Sequence, residues 1–219
     1  AFLARAYHVS WTTGCHKDAV VQRVVAAVDA LVREHNRNKD LVAKVPKWRS
    51  FGPAGHAVAL LGPQLKDVLG QTGDADGDPA TPPVPRREAW SALFQASLDY
   101  RRTHRPIYTN QAMISDLNLY YSNRGLAVVD PARAMPEEKA RRYLVEAMGI
   151  QPWLGNDTAS GSEKPAGESH LLVTSKGLTK ELGYVGSYGE ILDWAAKLYA
   201  ATCDGEKPGD ERLRAQLLK

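Results

Sequence analysis

The chain has 219 residues, 43% of them hydrophobic and 24% charged, and its 28 basic and 25 acidic side chains give a net charge of +3. That length can bury a sizeable core, and the composition is ordinary for a globular protein, which excludes disorder as the main state. No run of about 18 apolar residues is present to span a membrane, and the nearly balanced charge carries no basic stripe of the kind nucleic-acid proteins show. Neither a membrane nor a nucleic acid is therefore expected as a partner. The densest basic stretches are Arg86–Arg87, Arg101–Arg102 with Arg105, and Arg141–Arg142. Each lies on an expected helix or at its end, where charge is expected to face water.

In chain order, the first strong signal is residues 18–35, where Val21, Val24, Val25, Val28, Leu31 and Val32 recur on one helical face. Asp18 is placed to cap that helix. Residues 36–48 are polar and basic and read as a loop. A second helix follows Pro53 and carries Val58, Leu61, Leu65, Val68 and Leu69 over 53–69. Pro63 inside it predicts a kink or a break. Residues 70–85 are a Gly-, Asp- and Pro-rich connection; the position where a calcium loop needs Glu is Pro85.

A third helix is expected over 86–103, with Trp90, Phe94, Leu98 and Arg101, and a fourth over 109–123, with Met113, Ile114, Leu117 and Tyr121. Pro136 opens a fifth over 136–148, with Tyr143, Leu144 and Met148, and Gly149 stops it. Residues 150–169 are irregular. Ser187 and Glu190 form a capping box for a sixth helix over 187–202, and a seventh begins near Asp210. Alternating period-2 patterns and fixed-length repeats are both missing. The fold expected is all-α: an α/α toroid, as an incomplete barrel, or an irregular helical bundle with long loops. One helical domain, 1–219, is expected. The start at Ala1-Phe2-Leu3 and the stop within the helical run 211–219 suggest a fragment of a longer protein with further domains. Cys15 and Cys203 make neither a disulfide framework nor a zinc site; one bridge and two separate thiols both remain open.

Three polar clusters could carry chemistry. Tyr108-Thr109-Asn110-Gln111 precedes the fourth helix. Thr109 or Asn110 suffices as a cap, and the neighbouring amides of Asn110 and Gln111 can hold a sugar hydroxyl or a carboxylate. Asp116, Asn118, Asn123 and Arg124 continue the polar character along that helix. Glu168-Ser169-His170 closes a Gly- and Ser-rich loop, and His170 titrates close to neutrality. The stretch from Lys180 to Glu190 sets Tyr184 and Tyr188 among three glycines, as a sugar platform or a tight turn. Trp153 is either a stacking surface or a core plug. No nucleophile elbow, no phosphate-binding glycine loop and no His-Glu-x-x-His motif occurs. The six scattered histidines favour no metal, and no cofactor is expected.

The order Asn110, His170, Tyr184 resembles that of the functional residues in α/α-toroid polysaccharide lyases, the hyaluronate, chondroitin and alginate lyase families. The resemblance covers about residues 105–195. It implies a carbohydrate-active domain that cleaves a uronic-acid polysaccharide by β-elimination in a secreted or extracytoplasmic setting. It also implies catalytic roles for Asn110, His170 and Tyr184, with Gln111, Trp153, Tyr188 and Lys180 binding substrate. Those families also use an arginine after the tyrosine, for which Arg212 and Arg214 are candidates near the chain's end. The alternatives are a toroid glycoside hydrolase, with Asp116, Glu168, Glu190 and Asp193 as its carboxylates, and a non-catalytic helical scaffold.

Overall fold

The computed structural model describes residues 1–44, 51–73, 82–106, 109–153, 155–156, 190–205 and 207–218. The chain is predominantly helical. Its elements are α1 (Phe2–Tyr7), α2 (Asp18–Arg37), α3 (Leu41–Lys44), α4 (Gly52–Leu60), a 3-10 turn (Gly62–Leu65), α5 (Lys66–Leu69), α6 (Arg86–Thr103), α7 (Thr109–Val129), α8 (Glu137–Ala147), α9 (Glu190–Thr202) and α10 (Glu211–Leu217). Two short strands, β1 (Thr72–Gly73) and β2 (Val84–Pro85), pair antiparallel within the expected 70–85 connection. Among the described residues no helix is long and apolar enough to cross a membrane.

The chain divides into two compact units, residues 1–100 with 121–135 and residues 101–120 with 136–219, so α6 and α7 each contribute to both. In the first unit the valine face of α2 is buried as its spacing predicts, with Val28 and Val32 at most 3% exposed. Burying such a side chain stabilises by about 1.5–3 kcal/mol. Asp29 of α2 accepts from Trp90 Nε1 at 2.9 Å and from Arg86 Nε at 2.8 Å, which ties α6 to α2. Ser97 of α6 and Ser122 of α7 share a buried hydrogen bond of 3.0 Å. Gly55 and Gly125 let α4 and α7 touch backbone to backbone; a Cβ added at Gly125 would stand 2.5 Å from the Gly55 Cα.

Helix ends follow local chemistry. Pro63 divides the expected 53–69 helix into α4, a 3-10 turn and α5, because its ring removes a donor and crowds the preceding turn. Gly149 ends α8 in the left-handed region at φ 66°. There its N–H donates to Glu146 and that of Ile150 donates to Val145, the pair of bonds that closes a helix on a glycine. Asp210 caps α10 by accepting from the Arg212 amide at 3.0 Å.

Four expectations need correction. Asp18 is the first residue of α2, not its cap; Lys17 holds that position, and no side chain caps the helix. Residues 41–44 of the expected loop form α3. Helix α7 runs on to Val129, because Leu126 and Val129 are fully buried and Gly125 is needed for close packing. Arg101 and Arg105 do not face water: they are 2% and 4% exposed. Cys15 and Cys203 are two free thiols, each half-buried. Ser187 lies outside the described residues.

The Gly55–Gly125 contact leaves no space for a branched side chain. Gly125→Val should lower stability by about 3 kcal/mol, the upper end of overpacking costs. Urea unfolding checks this, and a variant as stable as the native chain would show that the helices can move apart.

Candidate functional site

The second unit is organised around Arg105, two residues after the end of α6. A guanidinium stripped of water needs its donors met and its charge balanced. Asp116, on the second turn of α7, takes two of those donors: Nε to Oδ1 at 3.1 Å and Nη2 to Oδ2 at 2.8 Å. Glu146 of α8 accepts from Nη1 at 2.6 Å, and the Gly155 carbonyl accepts from the same nitrogen at 2.9 Å. The three charged side chains are wholly buried. The faces of the guanidinium are also occupied, with its central carbon 4.8 Å from the Tyr143 ring and 5.0 Å from the Trp153 ring. The Arg105 amide donates to the Asn156 side chain at 2.5 Å. Arg142 Nε lies 2.9 Å from the second oxygen of Glu146, off the hydrogen-bonding direction.

Two opposed effects set the electrostatics. Burial by itself would lower the Arg105 pKa, but the charges and hydrogen bonds of Asp116 and Glu146 outweigh it, so the guanidinium is held more firmly protonated than usual. For Asp116 burial is the larger effect and pushes its carboxyl up; Arg105, and then Arg142 and Arg101, pull it back. The bidentate bond to a group that does not deprotonate keeps the pair ionic.

The expected site residues fall into two groups. Asn110 and Gln111 occupy the first turn of α7 and are half-buried. Asn110 is engaged with a partner, while Gln111 Oε1 is buried with no hydrogen-bond partner among the described residues. Trp153 is 6% exposed and packs against Ala112, the residue after Gln111. With Arg105 over one face, the ring is a core plug, and its Nε1–H is likewise buried without a partner. The structure thus brings Trp153 to the first turn of α7. His170, Tyr184, Lys180 and Tyr188 lie outside the described residues, as does Glu168.

The polar residues expected to extend the cluster along α7 are structural fasteners. Asn118 donates to the Ile114 carbonyl at 2.8 Å, and Asn123 bonds the Met135 backbone both ways, at 3.0 Å and 2.7 Å. Asp193 is exposed and pairs with Lys197 at 2.5 Å. Arg212 is held by Asp210 and by Glu138, the latter at 2.9 Å, and Arg214 by Glu211 at 3.1 Å. No group of three His, Cys, Asp or Glu side chains able to hold a metal ion occurs among the described residues.

No family model, no curated protein and no solved structure matches this chain.

Sequence reasoning missed Glu146 altogether and took Arg105 for a surface charge. Little in the sequence signalled either residue, since Arg105 belongs to a basic stretch and α8 carries two further acids, Glu137 and Glu138. Arg105→Met removes the charge and keeps most of the volume, which takes from Asp116 and Glu146 the cation that bonds them both and leaves Arg142 and Arg101 nearby to offset two buried carboxylates. Breaking such a cluster costs about 3–5 kcal/mol. Urea unfolding of the variant should show that loss; a loss under about 1 kcal/mol would mean the cluster rearranges and contributes little.

Proposed function

We propose that this chain is a carbohydrate-active domain, a polysaccharide lyase that cleaves a uronic-acid polymer by β-elimination on an α/α toroid. The observation that carries the reading is the pair of unmet polar atoms at the start of α7. Gln111 Oε1 is an acceptor and Trp153 Nε1–H a donor, both buried and without a partner among the described residues. Each such atom costs about 1–3 kcal/mol unless something fills it. Sugar hydroxyls and a uronate carboxylate supply the complementary groups. An enzyme that meets those atoms only when substrate arrives turns the cost into specificity.

The chemistry follows from the residue types. The C5 proton of a uronate is weakly acidic while its carboxylate is charged, so that charge must be held as the C5–H bond breaks. Asn110, helped by the Gln111 amide nitrogen, donates hydrogen bonds to the carboxylate. His170 takes the C5 proton, being near its own pKa at neutral pH. The electron pair forms the C4–C5 double bond and the C4–O bond breaks. Tyr184, with an unperturbed pKa of about 10, gives its proton to the leaving oxygen, and the positive charge of Lys180 eases that transfer. Tyr188 and Trp153 contribute to holding the sugar chain. The setting is secreted or extracytoplasmic, with further domains of the same protein alongside.

The hydrolase alternative is weakened by the carboxylates it would need. Asp116 is consumed by Arg105, and Asp193 stands exposed on a helix face against Lys197. A free pair about 5–10 Å apart is required for hydrolysis.

The test is the near-ultraviolet absorbance of unsaturated uronate, followed while the longest form of the protein acts on a panel of polyuronates. Tyr184→Phe and His170→Ala should each lower turnover by on the order of a hundredfold, the usual worth of general acid–base help. Native rates in both variants would remove those residues from the mechanism. No absorbing product from any polyuronate would favour a scaffold, or a hydrolase if reducing ends appear.

A further inference from the structure

We propose that the first unit binds a small amphiphilic anion, an alkyl chain with a carboxylate or phosphate head, in a groove between α1 and the first turns of α2. It stands independently of the lyase reading. The groove has a volume of about 320 Å³ and draws its lining from residues 3–23. Ligand pockets occupy roughly 300–1,000 Å³, so this one suits a small molecule. Leu3 and Ala6 line it from α1, and Ala19 and Val20 line it from α2. Val20 is buried, whereas Leu3 is 47% exposed, so part of the apolar lining meets water. Lys17, Val20 and Arg23 all line the groove at intervals of three residues. That spacing sets a cation about one turn to either side of the buried valine.

Both cations are exposed, and among the described residues neither side chain has a hydrogen-bond or ion-pair partner. No lining residue is acidic, and residues 1–17 contain neither Asp nor Glu. Asp18, the first acid in the chain, is exposed and does not line the groove. An apolar lining beside two unspent positive charges complements one class of small ligand, an anion with an apolar tail. An anion without a tail would leave the lining in water. A tail without a charge would leave Lys17 and Arg23 unpaired.

The groove is also held in shape. Thr12 Oγ1 donates to the Ala6 and Val9 carbonyls at 2.6 Å and 2.9 Å, which pins the connecting loop to α1. A Cβ added at Gly14 would stand 3.2 Å from Val20 Cγ2 and 3.4 Å from Ala6 Cβ, so the loop rests against both helices. His16, the one non-glycine residue with a positive φ among the described residues, turns the chain just before Lys17. Its N–H donates to the Tyr7 carbonyl at 3.0 Å, and its ring stands edge-on to the Tyr7 ring at 5.2 Å. With the loop fixed at both ends, little backbone ordering has to be done on binding.

The experiment is a methyl-resolved NMR titration of the full chain at low salt with octanoate, octyl phosphate, octanol and acetate, read at Leu3 and Val20. Octanoate or octyl phosphate should saturate with a Kd on the order of 1 mM or tighter, and the tighter of the two names the head group. Octanol should bind roughly tenfold more weakly, the worth of two exposed ion pairs, and acetate should not saturate. Lys17→Gln and Arg23→Gln should each weaken the anion about threefold and together roughly tenfold. Ala19→Trp, at an exposed position, should fill the groove and weaken binding by at least about tenfold. Melting curves confirm that the variants fold. Equal binding of octanol or of acetate, or native affinity in the double variant or in Ala19→Trp, would overturn the proposal. Saturation by neither anion would overturn it as well, and binding to phosphatidylglycerol vesicles alone would then assign this face to a membrane surface.

Discussion

A buried arginine is the constraint around which the second unit is built. Arg105 follows α6, yet it draws its partners from α7, from α8 and from the loop residues Trp153, Gly155 and Asn156. Its desolvation is tolerable only because two carboxylates, a carbonyl and two aromatic faces converge on it. A buried charge cluster of this kind need not add net stability over a well-packed apolar one. What it does add is register. A slip of α7 by one residue would move Asp116 through about 100° and take it off the Arg105 guanidinium, two of whose donors it meets. The cluster therefore fixes how α7, α8 and the loop meet, and with them the surroundings of Gln111 and Trp153.

The same logic explains why polar residues on α7 did not all mark a site. Asp116, Asn118, Ser122 and Asn123 are each consumed by a neighbour, whether a cation, a carbonyl or another hydroxyl. What remains at the head of the helix is different in kind. The unmet atoms of Gln111 and Trp153 are an acceptor and a donor, Gln111 lies on the first turn of α7, and the chain that continues past residue 156 carries His170 and Tyr184 in sequence. Structural support adjoins them, as the Arg105 guanidinium rests on the ring whose N–H is left over.

Much of the fold was legible from apolar spacing, since the faces of α2, α6, α7 and α8 are long enough to show a 3.6-residue period. The break at Pro63 and the stop at Gly149 were legible because each depends on one residue's backbone. Helices α1 and α3 were not, having six and four residues and too few positions for a period. Burial of Arg101 and Arg105 was illegible for another reason. The partners of Arg105 lie 11 and 41 residues away, and sequence order does not reveal which acid a base will meet. Asn110, Gln111 and Trp153 were recognisable as residue types suited to sugars. That Trp153 would be capped by a cation, with only its N–H unmet, depends on packing alone.

The dependence of the second unit on Arg105 can be read at one proton. In a wholly buried ion cluster, the Arg105 Nε–H should exchange with solvent far more slowly than in a free arginine. Its signal should persist in nitrogen-resolved NMR at neutral pH and respond to Asp116→Asn. An Arg105 Nε–H that exchanges at the free rate would contradict this, because the guanidinium would then be open to water and could not be what holds α7, α8 and the loop together.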